Sequence, residues 1–161
     1  MFKVRADFSE TFEVKAGIER VRDFFADIRN FIEFMPSIES IHTDSKGIAH
    51  WKITADIPLV GSFSERFSVR EAENNEERVE WAPIEMENHN LLRYAADFLP
   101  KSRAVTLVQF SQNIELRRQS ATELHILAGL VGETLIGNEM SRRIGDMLKS
   151  FLERAREILE D

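Results

Sequence analysis

Four histidines and no cysteine set the first limits on chemistry. Without a thiol, disulfides, thiolate metal sites and cysteine nucleophiles are excluded. His42 and His50 flank Ser45-Lys46-Gly47 and would stand side by side across a hairpin, a two-ligand start for a metal. No third ligand follows at matching spacing, and both rings should face away from the apolar side, which makes a weak site. His89 and His125 fall in no metal motif, so no metal is expected. No Gly-x-Ser-x-Gly or Ser-x-x-Lys element supplies an activated serine. Gly129, Gly132 and Gly137 match no dinucleotide fingerprint, and close packing explains small residues there, so no cofactor is expected.

Acid–base work needs a carboxylate or histidine in a water-poor place. Glu65 shares strand parity with Phe63 and Phe67 and is the first candidate. Turned inward among aromatics its pKa would rise by desolvation. A strand twist towards solvent, or pairing with Arg66 or Arg93, would remove that role. His89 and Tyr94 are the weaker candidates. Tyr94 is also the best single polar handle, because a buried phenol needs a hydrogen-bond partner. None of the three amounts to catalytic machinery on its own.

The elements that must position these groups follow from periodicity. Residues 2–15 alternate as a strand, with Val4, Ala6 and Phe8, then Phe12 and Val14. Ile18, Val21, Phe25 and Ile28 follow helical spacing. A second short helix is expected from Asn30, with Glu33 completing a capping-box-like pair and Pro36 ending it. Ile38–Thr43 and Ile48–Ile57 form a hairpin with Gly47 in the left-handed conformation, which places Ile41 opposite Trp51 and His42 opposite His50. Phe63–Arg70, Arg78–Ala82, Leu91–Phe98 and Ala104–Leu116 read as further strands, with 71–77 a solvated acidic turn. In the last strand Val105 and Leu107 alternate against Val108 and Phe110, a conflict that a bulge would resolve.

Residues 120–137 read as a linker merging into the irregular start of a long helix over Asn138–Leu159. Met140, Ile144, Met147, Leu148, Phe151, Leu152, Ala155, Ile158 and Leu159 make one apolar stripe on a 3.6-residue period, with Arg142, Arg143 and Asp146 among the opposite face. Such a helix, roughly 33 Å long, needs a sheet to lie on. The expected architecture is a single α+β domain over 1–161: a seven-stranded antiparallel curved sheet, two short helices and a long C-terminal helix.

Composition narrows the partners. With 161 residues and 43% hydrophobic content the chain can bury a real core. Its 28 acidic and 21 basic side chains give a net charge of -7, which argues against nucleic acid and against an anionic membrane surface. The longest apolar run, 126–132, is too short to cross a bilayer. The opening residues lack a signal-peptide core, so a cytoplasmic protein without membrane insertion is expected.

The element order resembles the helix-grip fold of the START-like, or SRPBCC, superfamily over nearly the whole chain. The most specific local likeness is Phe12-Glu13-Val14-Lys15-Ala16 followed by Val21, Phe24, Phe25 and Asp27, continuing through Phe34-Met35-Pro36-Ser37-Ile38-Glu39-Ser40-Ile41. It is similar to the opening of polyketide cyclase/dehydrase-type, carbon monoxide dehydrogenase G-like and coenzyme Q-binding members. The 57–63 segment resembles their turn between the third and fourth strands. The short connection at 44–47 departs from the glycine-rich loop of the pollen-allergen relatives, and 121–137 has no counterpart.

The resemblance implies a ligand cavity between sheet and helix, and so binding or transport of a hydrophobic small molecule such as a lipid, quinone or polyketide. Its lining would come from Trp51, Ile53, Phe67, Trp81 and Tyr94 on the strands, Phe34 and Met35 on the second short helix, and Met147 and Phe151 on the long helix. From the residues alone each of these is equally a core residue. The long helix should divide, with its part from Leu152 on as core and Met147 and Phe151 at the ligand. Two other readings stay open. One is a cyclase or dehydratase, which needs Glu65, His89 or Tyr94 inside the cavity. The other is a protein-interaction module with an exposed apolar patch around 126–136.

Overall fold

Alternation builds the strands, and a helical stripe closes them. The computed structural model describes residues 1–35, 37–57, 61–125 and 127–161. In chain order these residues form β1 (Phe2–Val14), α1 (Ile18–Ala26), α2 (Arg29–Phe34), β2 (Ile38–Thr43), β3 (Ile48–Ile57) and β4 (Gly61–Asn74). There follow β5 (Arg78–Pro83), β6 (Asn90–Ser102), β7 (Val105–Arg118), α3 (Ala121–Leu124), α4 (Ala128–Val131) and α5 (Glu133–Glu160). The strands make one antiparallel sheet in the order β1-β7-β6-β5-β4-β3-β2. This is the expected α+β helix-grip layout, with two additional one-turn helices ahead of α5.

The hairpin between β2 and β3 has the expected register. Ile41 faces Trp51 and His42 faces His50, and Gly47 takes a φ of +80°, where a side chain would be strained. Asp44 stabilises the turn, accepting the Lys46 and Ile48 backbone N–H groups at 2.8 and 3.1 Å.

Other expectations need correction. β7 carries no bulge against β1, and pairing runs unbroken from Phe2–Arg118 to Val14–Thr106. The inward set is Thr106, Val108, Phe110, Gln112, Ile114 and Leu116, so two polar residues stand on the buried face and disguise its parity. Thr106 is satisfied there, its hydroxyl donating to the Ala16 carbonyl at 2.9 Å. Asn30 does not cap α2. The helix begins one residue earlier, and the Asn30 amide donates instead to the Phe24 carbonyl at 2.8 Å, tying α2 to α1. The expected stop at Pro36 lies outside the described residues. β4 runs on to Asn74, which shortens the acidic turn.

The largest difference concerns α5. It starts at Glu133, directly after Gly132 at φ +91°. Gly137 is not a break but a contact. A Cβ there would lie 2.7 Å from the Arg5 carbonyl oxygen, so only glycine lets the helix approach β1 this closely. The helix then follows the free edge of that strand. Backbone N–H groups of Lys3, Asp7 and Lys15 donate to Glu133 Oε1, Ser141 Oγ and Glu160 Oε2 at 3.0, 3.1 and 3.3 Å. The lengths match, since 28 helical residues at 1.5 Å and 13 strand residues at about 3.3 Å both span roughly 42 Å. An edge strand that would otherwise offer unpaired groups is thereby covered. At the far end the Arg20 guanidinium donates to the Leu159 and Ile158 carbonyls, both at 2.9 Å, closing the helix C-terminus with a cation.

Between α5 and the sheet, α1 and α2 deliver a block of rings. Phe31 stacks on Phe151 at 4.7 Å and 18° and lies 4.9 Å from Tyr94. Phe25 meets Phe110, Phe98 and Phe151 at 6.0–6.3 Å between centroids. Trp51 and Trp81 both reach Tyr94, at 6.0 and 6.4 Å between centroids. These rings fill one end of the space under the helix.

Candidate functional site

The other end is hollow. A cavity of about 750 Å³ opens between β3, β4 and β7 on one side and the first half of α5 on the other. Strand alternation turns Ile53, Phe63, Phe67, Ile114 and Leu116 towards it, and the helical stripe supplies Met140, Ile144 and Met147 at steps of four and three. Its volume falls inside the roughly 300–1,000 Å³ typical of small-molecule sites. Polar groups line it as well: Ser37, Thr54, Asp56, Ser62, Ser64 and Glu65 from the sheet side, and Arg142, Arg143 and Asp146 from α5.

Glu65 does face this space, but as a partnered carboxylate. Its Oε2 accepts from Arg118 at 3.0 Å and from the Asn90 amide at 2.9 Å. The partner is thus Arg118, not Arg66 or Arg93. Arg118 is 12% exposed and Glu65 20%, so the pair is shielded enough for loss of either member to leave a poorly solvated charge. Asp56 accepts the Ser62 hydroxyl. Arg142 donates to Glu139 at 2.9 Å and stands 3.8 Å from Asp146. The hydrogen bond to Glu139, reinforced by the charge of that carboxylate, raises the Arg142 pKa above its ordinary value.

Arg143 differs from its neighbour. It lines the cavity, it belongs to none of the ion pairs among the described residues, and its Nε is shut off from solvent with no hydrogen-bond partner.

The structure divides the residues expected to touch a ligand. Ile53, Phe67 and Met147 line the cavity. Met35, Trp51, Trp81, Tyr94 and Phe151 are buried in the ring-filled end. Phe34 stacks on Phe24, with the Arg154 guanidinium 5.7 Å from its ring centre. Burial, with the Glu71 and Asp27 charges adding to it, pushes the Tyr94 phenol well above its usual pKa. It therefore stays protonated, a donor rather than a base. Among the described residues its oxygen lacks a partner, as do Trp51 Nε1, Trp81 Nε1 and Gln112 Oε1. Gln112 faces Tyr94 across β6 and β7, and Tyr94 faces Trp81 across β5 and β6. Of these, Trp51 stands one inward step from Ile53 along β3 and Gln112 one from Ile114 along β7, both isoleucines being on the cavity wall.

His89 is exposed, and its backbone carbonyl accepts the Arg117 N–H at 2.8 Å. Of Glu65, His89 and Tyr94, only Glu65 lines the cavity. His50 Nε2 lies 3.0 Å from Asp44 and its Nδ1 3.0 Å from Ser68 Oγ, so its ring is committed to the hairpin turn and to β4. Among the described residues no group of three or more metal-ligating side chains converges, and no helix is long and apolar enough to cross a membrane. Leu127, Leu130 and Leu135 are exposed apolar residues of the α4–α5 region, whereas Ile136 is fully buried. Ile126 lies outside the described residues.

Sequence reasoning passed over Ile114, Leu116 and Arg143 as site residues. Arg143 had a signal: it lies three residues after Met140 and four before Met147, which puts it on the flank of the apolar stripe.

No family model matches the chain, and no curated protein matches it in sequence. Solved structures do match it in shape. A START superfamily protein from Mycobacterium smegmatis superposes with a TM-score of 0.63 at 16% identity, over 95% of this chain and 98% of that one. The di-domain ARO/CYC StfQ from the steffimycin biosynthetic pathway gives 0.64 at 12% identity, over 98% of this chain and 51% of that one, so this chain spans about half its length. The Zhui aromatase/cyclase from Streptomyces sp. R1128 gives 0.51 at 12% identity, over 94% and 86%. The fold is that of START and aromatase/cyclase proteins.

Proposed function

We propose that the protein binds a hydrophobic small molecule in the cavity between the sheet and the first half of α5. The cavity itself carries this reading: about 750 Å³ of space walled by Ile53, Phe67, Ile114, Ile144 and Met147. Apolar walls with a few placed polar groups are the usual make-up of such sites. Lipids, quinones and polyketide-like molecules all have this character, and the aromatase/cyclases among the structures of the same shape support the last.

Titration with the neutral fluorophore 1-aminoanthracene tests the proposal. Saturable binding at about one per chain, reversed by a competing apolar molecule, is the expected result. Fluorescence rising linearly without saturation would overturn it.

Cyclase- or dehydratase-type catalysis is the second reading, favoured by Glu65 at the cavity wall. Arg118 and Asn90 already occupy the Glu65 Oε2 that a substrate would use. The reading therefore requires a ligand to displace one of them or to use Oε1, which accepts no hydrogen bond among the described residues.

A further inference from the structure

We infer that Arg143 is the anchor for the head group of the bound molecule, and that this head group is a single carboxylate on an otherwise apolar body. The inference rests on the cavity being the binding site.

Arg142 and Arg143 are adjacent on α5 and compete for the same helix carboxylates. Glu139 and Asp146 lie four residues before and three after Arg143, within reach of its side chain. Arg142 takes both, at 2.9 and 3.8 Å. Across the cavity Glu65 is held by Arg118 and Asn90, and Asp56 by Ser62. Every carboxylate lining the cavity thus has a partner. The Arg143 guanidinium has none among the described residues, and its Nε is closed to water. A buried donor left unpaired is costly, and an isolated one asks for an explanation. An acceptor brought by the ligand meets the guanidinium where it lines the cavity, at its terminal nitrogens, since an Nε closed to water is closed to a ligand oxygen as well.

The chemistry of the acceptor follows from the surroundings. A planar guanidinium matches a carboxylate in a two-point fork. Asp56, Glu65 and Asp146 line the same space and repel added negative charge, so a monoanion is favoured over a phosphate monoester carrying nearly two charges. The body must be apolar, because Met140, Ile144 and Met147 flank Arg143 along the helix.

Calorimetric titration of dodecanoate, methyl dodecanoate and dodecyl phosphate, each below its micelle concentration, tests the assignment. The acid should bind the natural chain about 10- to 100-fold more tightly than the ester, the range of a charge-assisted hydrogen bond. In Arg143→Gln that ratio should fall to within about threefold while ester affinity holds, and Arg156→Gln, a charge-matched change elsewhere on α5, should keep it. Equal affinities in the natural chain, or a ratio that survives Arg143→Gln, would overturn the assignment. Tighter binding of the phosphate would overturn the choice of a carboxylate. Binding of none of the three would overturn the binding function as well, whereas ester binding without acid preference would overturn only the role of Arg143. Arg143→Met should melt no lower than the natural chain, and a marked drop would show a structural residue instead.

Discussion

Two ends of one space, walled by the same sheet and the same helix, have opposite contents. Towards Phe151 the gap is packed with rings that α1 and α2 bring in: Phe25 and Phe31 reach Phe110, Tyr94 and Phe151 in a continuous aromatic block. Towards Met140 the same strands present Ile53, Phe67 and Ile114, and no residue of α1 or α2 joins the lining there. The two short helices therefore decide where the fold is solid and where it is hollow. Sheet curvature and the apolar stripe of α5 are common to both ends and cannot make that distinction.

The sharpest way to break the comparison is Phe151→Ala. Phe151 is fully buried and meets Phe24, Phe25 and Phe31 at 4.7–6.3 Å. Its removal should cost about 3–5 kcal/mol in urea unfolding, with 1-aminoanthracene affinity unchanged within about threefold. A variant of near-normal stability with lost binding would place the ligand among the rings. At the hollow end Met147→Trp should do the reverse. Met147 lines the cavity and is only partly buried, so a larger side chain can enter space that is already open. Stability should change by less than about 1 kcal/mol, while fluorophore binding weakens by an order of magnitude or more. Unchanged binding would show that the fluorophore sits elsewhere.

Much of this architecture was legible in the chain, because each strand with one buried face repeats every second residue. The Ile41–Trp51 register followed from a three-residue turn and one glycine. Legibility failed where a polar residue occupied an inward position. Thr106 and Gln112 hid the parity of β7, since a hydroxyl satisfied by Ala16 looks like surface in a sequence. It failed also at the start of α5: close packing was legible at Gly137, which approaches Arg5, but that glycine lies inside the helix and not ahead of it. The cavity was legible only in part. Parity identified Ile53 and Phe67 as inward, and the helical stripe identified Met147. Parity names a face, however, and not the point along a strand at which packing stops. That point depends on how far rings from residues 24–34 reach into a sheet whose strands lie tens of residues away. Trp51 and Tyr94 stand on the same faces as the cavity residues and differ from them only in having Phe31 above them.

A smaller effect probes whether the packed end and the cavity are mechanically separate. Asp44 closes the hairpin that leads into the Trp51 side of β3. Its hydrogen bond from His50, with the Ile48 and Lys46 N–H groups adding to it, lowers its pKa from 3.8 to about 2. A carboxyl whose pKa is depressed by folding stabilises the protein above its unfolded value, and that contribution disappears as pH falls towards the folded value. The natural chain should therefore lose melting temperature between about pH 4 and pH 2 in part through this turn. Asp44→Asn should flatten that portion of the profile, since an amide has no proton to gain over the interval. Fluorophore binding at neutral pH should be the same in both, because the turn lies at the opposite end of β3 from Thr54, Ala55 and Asp56 on the cavity wall. Weakened binding in Asp44→Asn would mean that β3 transmits changes along its length, and that the hollow end depends on the packed one for its shape.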